Sequence, residues 1–236
     1  MRVNMWKTGV IVTAAILLTG CSGTGASDES SDSKPSSSSA AEETTAPSSD
    51  CPELKEGATV DITALATCST ERMDESAGYA ATSTTLGMES TARYNPSEDA
   101  VAVDSSIGSM VIIGDDAWVK SPSSEWQVAD PNSSDPIIAG LSTGAATATS
   151  MDPAQAIAAL NGEFTVTGTG ERLGEKVYLV SGTTETQGVA VDATFEVTED
   201  YIILATMTKT EVQGQPIESS LEITDWDKAQ DIVAPM

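Results

Sequence analysis

The side chains that could do covalent or acid–base chemistry in this 236-residue chain are three cysteines and many carboxylates. There is no histidine, which removes the commonest general base, the commonest metal ligand and the usual partner of a serine or cysteine nucleophile. Adjacent acids such as Asp115 and Asp116 fall in a predicted turn, where carboxylates are solvated. No phosphate-binding glycine loop, calcium loop or nucleophile constellation is present. The sequence therefore predicts no enzyme, no cofactor and no metal site.

Cys21 follows a short apolar run that has a basic segment before it. The run covers residues 8–18, about 11 residues where a membrane-spanning helix needs roughly 20. Its end, Leu18-Thr19-Gly20-Cys21, resembles the lipobox of bacterial lipoproteins, in which the cysteine thiol receives a diacylglycerol and becomes the first residue after cleavage. The resemblance implies a lipoprotein signal peptide at 1–20, lipidation of Cys21 and a lipid anchor on the outer face of the cell membrane. The alternative is an ordinary signal peptide with a chance cysteine at its cleavage site.

Cys51 and Cys68 are the two remaining thiols, and outside the cytoplasm they lie in an oxidising compartment. A disulfide between them would stabilise the fold by roughly 3 kcal/mol on the loop-entropy estimate. Two free buried thiols or a redox pair are the alternatives, although a redox pair typically has the closer Cys-x-x-Cys spacing.

Residues 21–50 combine the candidate lipidated cysteine with a serine-rich, acidic segment that has no apolar residue larger than alanine or proline. Such a segment cannot offset its ordering entropy by burial, so we expect a disordered tether. The net charge of −25 becomes −27 if residues 1–20 are removed with their two basic side chains. This charge argues against nucleic acid as a partner and against binding to anionic lipid head groups.

Residues 51–236 suit one domain. Apolar spacing predicts a helix at 61–74, capped by Asp61, and weaker helices begin at Asp135-Pro136 and Asp152-Pro153. The segment 142–150 contains only Ser, Thr, Gly and Ala, which predicts a loop. The rest predicts about nine strands in two meanders, with period-two alternation clearest at 189–198. The expected class is α+β, a largely antiparallel sheet with two or three helices on one face.

Three local motifs resemble the LppX/LprG-type actinobacterial lipoproteins, which are LolA-like in fold. They are the hairpin at 110–120, the strand entry Gly170-Glu171-Arg172-Leu173-Gly174 and the ending Asp225-Trp226-Asp227-Lys228. The resemblance covers about 60–235. It implies a curved, half-barrel-like sheet around helices, and non-covalent binding or carriage of a lipid or lipoglycan.

A ligand cavity would then lie between the strands at 189–223 and the helices at 61–74 and 135–161. The residues expected to line it are Ile137, Ile138, Leu141, Val191, Phe195, Val197, Leu221 and Ile223. The alternative for the strand residues among them is an ordinary filled core. The sequence therefore supports two functions: an anchored extracytoplasmic lipoprotein that binds an amphiphile, or an envelope module without a cavity that binds protein or wall polymer.

Overall fold

This computed structural model describes residues 51–148, 157, 160–186, 188–212 and 214–235. The predicted signal peptide, Cys21, the tether and nearly all of the helix expected from Asp152 lie outside the described residues. Within them, no helix is long and apolar enough to cross a membrane. The elements are β1 Thr59–Val60, α1 Ile62–Asp74, β2 Tyr79–Thr85, β3 Met88–Asn95, a 3-10 turn Pro96–Glu98, β4 Ala100–Ser105, β5 Gly108–Ile113, β6 Asp116–Lys120, β7 Gln127–Val128, α2 Pro136–Ala148, β8 Phe164–Arg172, β9 Glu175–Thr186, β10 Val189–Thr198, β11 Ile203–Val212 and β12 Gln215–Trp226.

The strands form one 12-stranded sheet in the order β1-β8-β9-β10-β11-β12-β2-β3-β4-β5-β6-β7. Every neighbouring pair is antiparallel. The sheet is open, because β1 and β7 are its two edges. The predicted α+β class with a largely antiparallel sheet is confirmed, although there are more strands than the sequence predicted. The two predicted meanders pair through β12 and β2, a contact between distant parts of the chain.

Helix α1 begins where the sequence predicts. The carboxylate of Asp61 accepts hydrogen bonds from the backbone N–H groups of Thr63 at 2.9 Å and Ala64 at 3.1 Å, which satisfies two of the free donors of the first turn. The helix buries one face against the sheet, and that face includes Cys68. The sulfur of Cys68 lies 2.00 Å from that of Cys51, so a disulfide joins the helix to the start of the described chain.

Helix α2 differs from the sequence prediction because it continues through the segment that was expected to be a loop. Asp135 caps its first turn, as predicted, by accepting from the N–H of Ile137 at 2.8 Å. The Ser142 hydroxyl then donates to the carbonyl of Ile138 at 2.7 Å, and the Thr143 hydroxyl donates to that of Ala139 at 2.9 Å. These bonds satisfy the hydroxyl groups inside the helix, which removes the competition with the backbone that makes Ser and Thr poor helix formers.

The sheet is strongly coiled at the β8–β9 hairpin. Arg172, at the end of β8, donates to Glu196 on β10 at 2.5 Å and to Glu222 on β12 at 3.0 Å. In a flat sheet β8 and β12 would lie about 19 Å apart, which is farther than two side chains reach. Hydrogen bonds to the two glutamates and their negative charges raise the pKa of Arg172 against the opposing effect of burial. Ala205 pairs with both glutamates and is fully buried between them.

Candidate functional site

The side chains on one face of the sheet, called here the inner face, form two separate core clusters. Register partners point to the same side of a sheet, so the pairings place Phe195, Ile223 and Val101 on this face. The first cluster joins α1 to strands β8–β12 and β2. The second joins α2 to strands β4–β6 and consists of Val101, Met110, Ile112, Val119, Ile138, Leu141 and Ala145. Tyr94 packs partly against both clusters.

The residues that the sequence placed in one cavity are divided between these clusters. Phe195, Val197 and Ile223 are fully buried in the first cluster, and Leu221 packs at its margin. Ile138 and Leu141 belong to the second cluster, Ile137 is exposed, and Val191 is half-buried in neither cluster. Because α2 packs on β5 and β6, it does not face the strands that it was expected to cover.

The part of the inner face between the clusters carries small hydroxyl side chains. Ser83 on β2 and Ser90 on β3 are register partners, and their hydroxyl oxygens are 2.7 Å apart. Ser105 on β4 is the next residue in the same row and donates to the carbonyl of Gly108 at 2.9 Å. Each of the three hydroxyls thus has a hydrogen-bond partner, and all three side chains are too small to fill the space between α2 and the sheet. A groove remains above them.

The groove has a volume of about 240 Å³ and is open to solvent on one side. Its surface is mostly apolar, with hydroxyl groups on its floor. Leu141 of α2 approaches the sheet closely because β5 begins with Gly108, where a Cβ would clash with Leu141 and with the carbonyl oxygen of Lys120. The lining residues are Ser83, Thr85, Met88, Glu89, Ser90, Val103, Ser105, Ser106, Ile107, Gly108, Met110 and Leu141.

The groove carries little positive charge to attract an anion. Among the described residues that line it, Glu89 is the one ionisable residue, and none is Lys or Arg. The Glu89 side chain points to the opposite face of the sheet, because Glu89 is next to Ser90 on β3. The described part of the chain also contains no group of three or more Cys, Asp or Glu side chains placed to hold a metal ion. The arrangement can therefore hold an apolar chain through burial and an uncharged polar group through hydroxyl hydrogen bonds.

Sequence reasoning identified one of the groove residues, Leu141, and missed the others. The available signal was the alternation of small hydroxyl residues on β2 and β3, where Ser83 and Ser90 occupy positions that would be apolar in a filled sheet. A pattern of that kind marks a face that is turned inward but not closely packed. It could have been recognised only with the pairing of β2 to β3 and the position of α2.

No protein-family model matches this chain, and no curated protein matches it. Among solved structures it is similar to the lipoprotein LppX of Mycobacterium tuberculosis, with 13% identity, a TM-score of 0.47 and coverage of 73% of this chain and 98% of that one. It is also similar to LprF from Mycobacterium bovis, with 9% identity, a TM-score of 0.49 and coverage of 74% and 96%. Both are lipoproteins of the LppX/LprG family, which the sequence motifs resemble. The likeness concerns the fold and carries no conclusion about a ligand.

Proposed function

We propose that this chain is a lipid-anchored envelope protein that binds an amphiphile by taking part of its acyl chain into the groove between α2 and strands β2–β5. It acts as a binding protein, not as an enzyme. The observation that carries the proposal is the mostly apolar, open groove on the inner face, which Leu141, Val103 and Met110 bound. A ligand pocket is typically a concave apolar surface with a few placed polar groups, and this groove has both features.

The volume limits how much of a ligand the groove holds. A methylene group occupies about the volume of a water molecule in the liquid, roughly 30 Å³. The volume of 240 Å³ therefore takes about eight methylene groups, which is part of one acyl chain. We infer that the described groove binds a single chain segment and leaves the head group near its open side.

The charge pattern favours an uncharged or zwitterionic head group. The groove lining contains no Lys or Arg, and the whole chain carries a net charge of −25. A free carboxylate or phosphate monoester would therefore be repelled at the mouth. A hydroxyl-bearing head, such as that of a glyceride or a glycolipid, could exchange hydrogen bonds with the serine hydroxyls on the floor.

The test fills the groove from its floor. Ser90→Phe adds five heavy atoms at the centre of the floor, which is about half of the available space. Binding of a fluorescent monoacylglycerol should be lost, while binding to wild type should exceed that of a fatty acid with the same chain length. Because the ring enters open space, the melting temperature should stay close to that of wild type, whereas overpacking a filled core would cost about 1–3 kcal/mol.

The matched control is Thr91→Phe. Thr91 is exposed and is the next residue on the same strand, so its side chain points to the opposite face. This variant should bind the monoacylglycerol as wild type does. Equal binding by Ser90→Phe and Thr91→Phe would contradict the assignment of the ligand to this groove.

The anchor is the second part of the proposal. Lipidation of Cys21 would attach the protein to the outer face of the cell membrane, since two or more acyl chains are needed for stable attachment and a lipobox cysteine carries them. Cys21→Ala should release the protein into the aqueous phase when cells are partitioned in detergent. Retention of the variant in the detergent phase would rule out this cysteine as the anchor.

One observation supports the alternative, an interaction module without a ligand. The region predicted to hold the cavity is occupied by buried side chains of the first cluster, including Phe195 and Val197. Native mass spectrometry of the protein purified from its own membranes separates the two functions. A bound lipid of defined mass supports the amphiphile-binding protein, and ligand-free protein together with no monoacylglycerol binding supports the interaction module.

A further inference from the structure

Two hairpin tips at one end of the sheet carry large apolar side chains that face solvent. Leu86 lies in the β2–β3 turn and is 62% exposed, and Met88 at the start of β3 is 54% exposed. Ile107 in the β4–β5 turn is 57% exposed. The pairing of β3 with β4 places both turns at the same end. Met88 and Ile107 also line the groove. Leu86 does not line the groove but lies two residues before Met88. These three residues, called here the apolar rim, therefore lie at the end of the sheet where the groove is.

The backbone at Leu86 is unfavourable for a leucine. Leu86 and Gly87 both have positive φ angles, 54° and 76°, which is the pattern of a tight hairpin turn that favours Asn-Gly or Gly-Gly. A leucine in this left-handed conformation lowers the free energy of unfolding. Because the side chain is exposed, it makes no compensating packing contacts in the folded monomer. The turn therefore holds the Leu86 side chain in solvent, where it is free to contact a surface outside the fold.

We propose that the apolar rim inserts into the surface of the membrane to which the chain is anchored, so that the groove opens toward the lipid. This inference rests on the proposed function. The lipid anchor keeps a bilayer close to the domain at all times, which raises its effective concentration above that of any free protein partner. Because the chain is strongly acidic, we expect the rim to bind an uncharged or zwitterionic lipid surface and not an anionic one.

The chain between Cys21 and Cys51 is long enough to allow this orientation. The described chain starts near the opposite end of the sheet, because the carbonyl of Pro52 accepts a hydrogen bond from Tyr201 in the β10–β11 turn at 3.1 Å. The ten residues of β10 span about 33 Å. A flexible coil of 29 residues, the number at 22–50, has an r.m.s. length of roughly 30 Å, and a fully extended chain of that length spans about 100 Å. The domain can therefore turn its rim to the bilayer while it stays anchored.

The sequence offers a matched control for the rim. Leu173 and Gly174 form the same kind of turn, with φ angles of 53° and 84°, and Leu173 is 49% exposed. This turn joins β8 to β9 at the opposite end of the sheet from Leu86. Leu86→Asn and Leu173→Asn therefore remove the same side chain and relieve the same backbone strain, so both should be at least as stable as wild type.

The experiment measures flotation of the mature chain carrying Cys21→Ser with phosphatidylcholine vesicles, so that binding cannot come from the anchor. Leu86→Asn should weaken the partition roughly tenfold and Leu86→Asn with Ile107→Ser roughly a hundredfold, while Leu173→Asn should match the Cys21→Ser parent. Addition of phosphatidylglycerol to the vesicles should weaken binding of the parent. Equal flotation of the parent and both leucine variants, or no binding of the parent, would overturn the proposal.

Two further outcomes are decisive. A dimer in solution that dissociates in Leu86→Asn would also overturn the proposal and make the rim a subunit interface. The groove is tested separately, since Ser90→Phe should keep flotation while losing monoacylglycerol, and Leu86→Asn should keep binding of soluble monoacylglycerol. If Leu86→Asn loses flotation and still binds monoacylglycerol, the rim is supported independently of the groove. If the Cys21→Ser parent floats but does not bind monoacylglycerol, the groove is rejected and the rim is not.

Discussion

The C-terminal segment after β12 is held to the sheet by the side-chain amide of Asn95. This side chain is 4% exposed; its oxygen accepts from the backbone N–H of Gln230 at 2.8 Å, and its nitrogen donates to the Gln230 carbonyl at 2.9 Å. The nitrogen also donates to Glu98 at 3.2 Å. Arg93 adds a bond to the carbonyl of Asp231 at 2.6 Å. The side chains of Asn95 and Arg93 thus hold this segment to the sheet.

Two substitutions separate the parts of this interaction. Asn95→Ala removes two hydrogen bonds to the segment, each worth about 1 kcal/mol, so the free energy of unfolding should fall by about 2 kcal/mol. Asn95→Asp keeps the acceptor for the Gln230 N–H but turns a charged oxygen toward the Gln230 carbonyl and Glu98. A buried charge without a donor costs more than a lost bond, so we expect a loss of about 3 kcal/mol at pH 7.

The aspartate variant should recover at low pH. Its surroundings favour the neutral carboxyl, so the folded-state pKa lies above the unfolded value of about 3.9. The associated stability is fully present below the unfolded pKa and is lost as the pH rises through the folded one. Relative to wild type, Asn95→Asp should therefore gain stability from pH 7 to pH 4, while Asn95→Ala should not. Urea denaturation at both pH values measures the difference.

The control is Asn132→Asp, which makes the same change at an exposed position and should alter stability by less than about 0.5 kcal/mol. Amide hydrogen exchange at Gln230 reports on the segment directly and should accelerate in both Asn95 variants. If both variants remained within about 0.5 kcal/mol of wild type and exchange were unchanged, the reasoning would be refuted.

Three other predictions follow from single features of the first cluster and the helix that covers it. Ser69→Ala should leave the free energy of unfolding unchanged or raise it by about 1 kcal/mol, because this hydroxyl is buried with no hydrogen-bond partner among the described residues; a clear loss in urea denaturation would show otherwise. Burial raises the pKa of Tyr201, and the charge of Glu199 raises it further. The stability that comes with the neutral tyrosine is therefore lost as the pH rises through this raised pKa, which lies above the ordinary value of about 10. The melting temperature of Tyr201→Phe should therefore rise relative to that of wild type between pH 9 and pH 12. Equal changes of melting temperature with pH in the two proteins would contradict this. Reduction of the bond between Cys51 and Cys68, 17 residues apart, should cost about 3 kcal/mol, and free alkylation of both cysteines in the native protein would exclude the bond.

Elements that depend on local pattern could be predicted from the sequence. The Asp61 cap and the three-residue spacing of Ile62, Leu65 and Cys68 gave α1 to within a residue. The alternation at 189–198 gave β10 with the same bounds, and Phe195 and Val197 are in the core as that alternation requires. In both cases neighbours in the sequence determine the structure, so the pattern is sufficient.

The extent and position of α2 could not be predicted in this way. Its second half contains residues of low helix propensity. Tertiary packing overrides that preference, because Ala145 is buried in the second cluster with residues of β5 and β6 and the Ser142 hydroxyl accepts from the N–H of Asp130. The choice of β5 and β6 depends on the order of strands in the sheet. That order brings β12 beside β2 and moves the strands at 189–223 away from α2. Hydrophobic periodicity contains no information on this order.

The groove is a consequence of dividing the apolar residues between two clusters. A single core would require large apolar side chains along the whole inner face. The row from β12 to β3 instead contains Ser219, Thr85 and Met88, and the next row has Ser83, Ser90 and Ser105 on β2–β4, so both rows are mostly small and polar. Burial of a large apolar side chain at one of these positions would stabilise the domain by about 1.5–3 kcal/mol. The positions that form the groove floor lack that stabilisation because they carry small polar side chains. They lie together on one surface, next to exposed leucine, methionine and isoleucine side chains. This pattern is expected where a ligand supplies the missing apolar contacts.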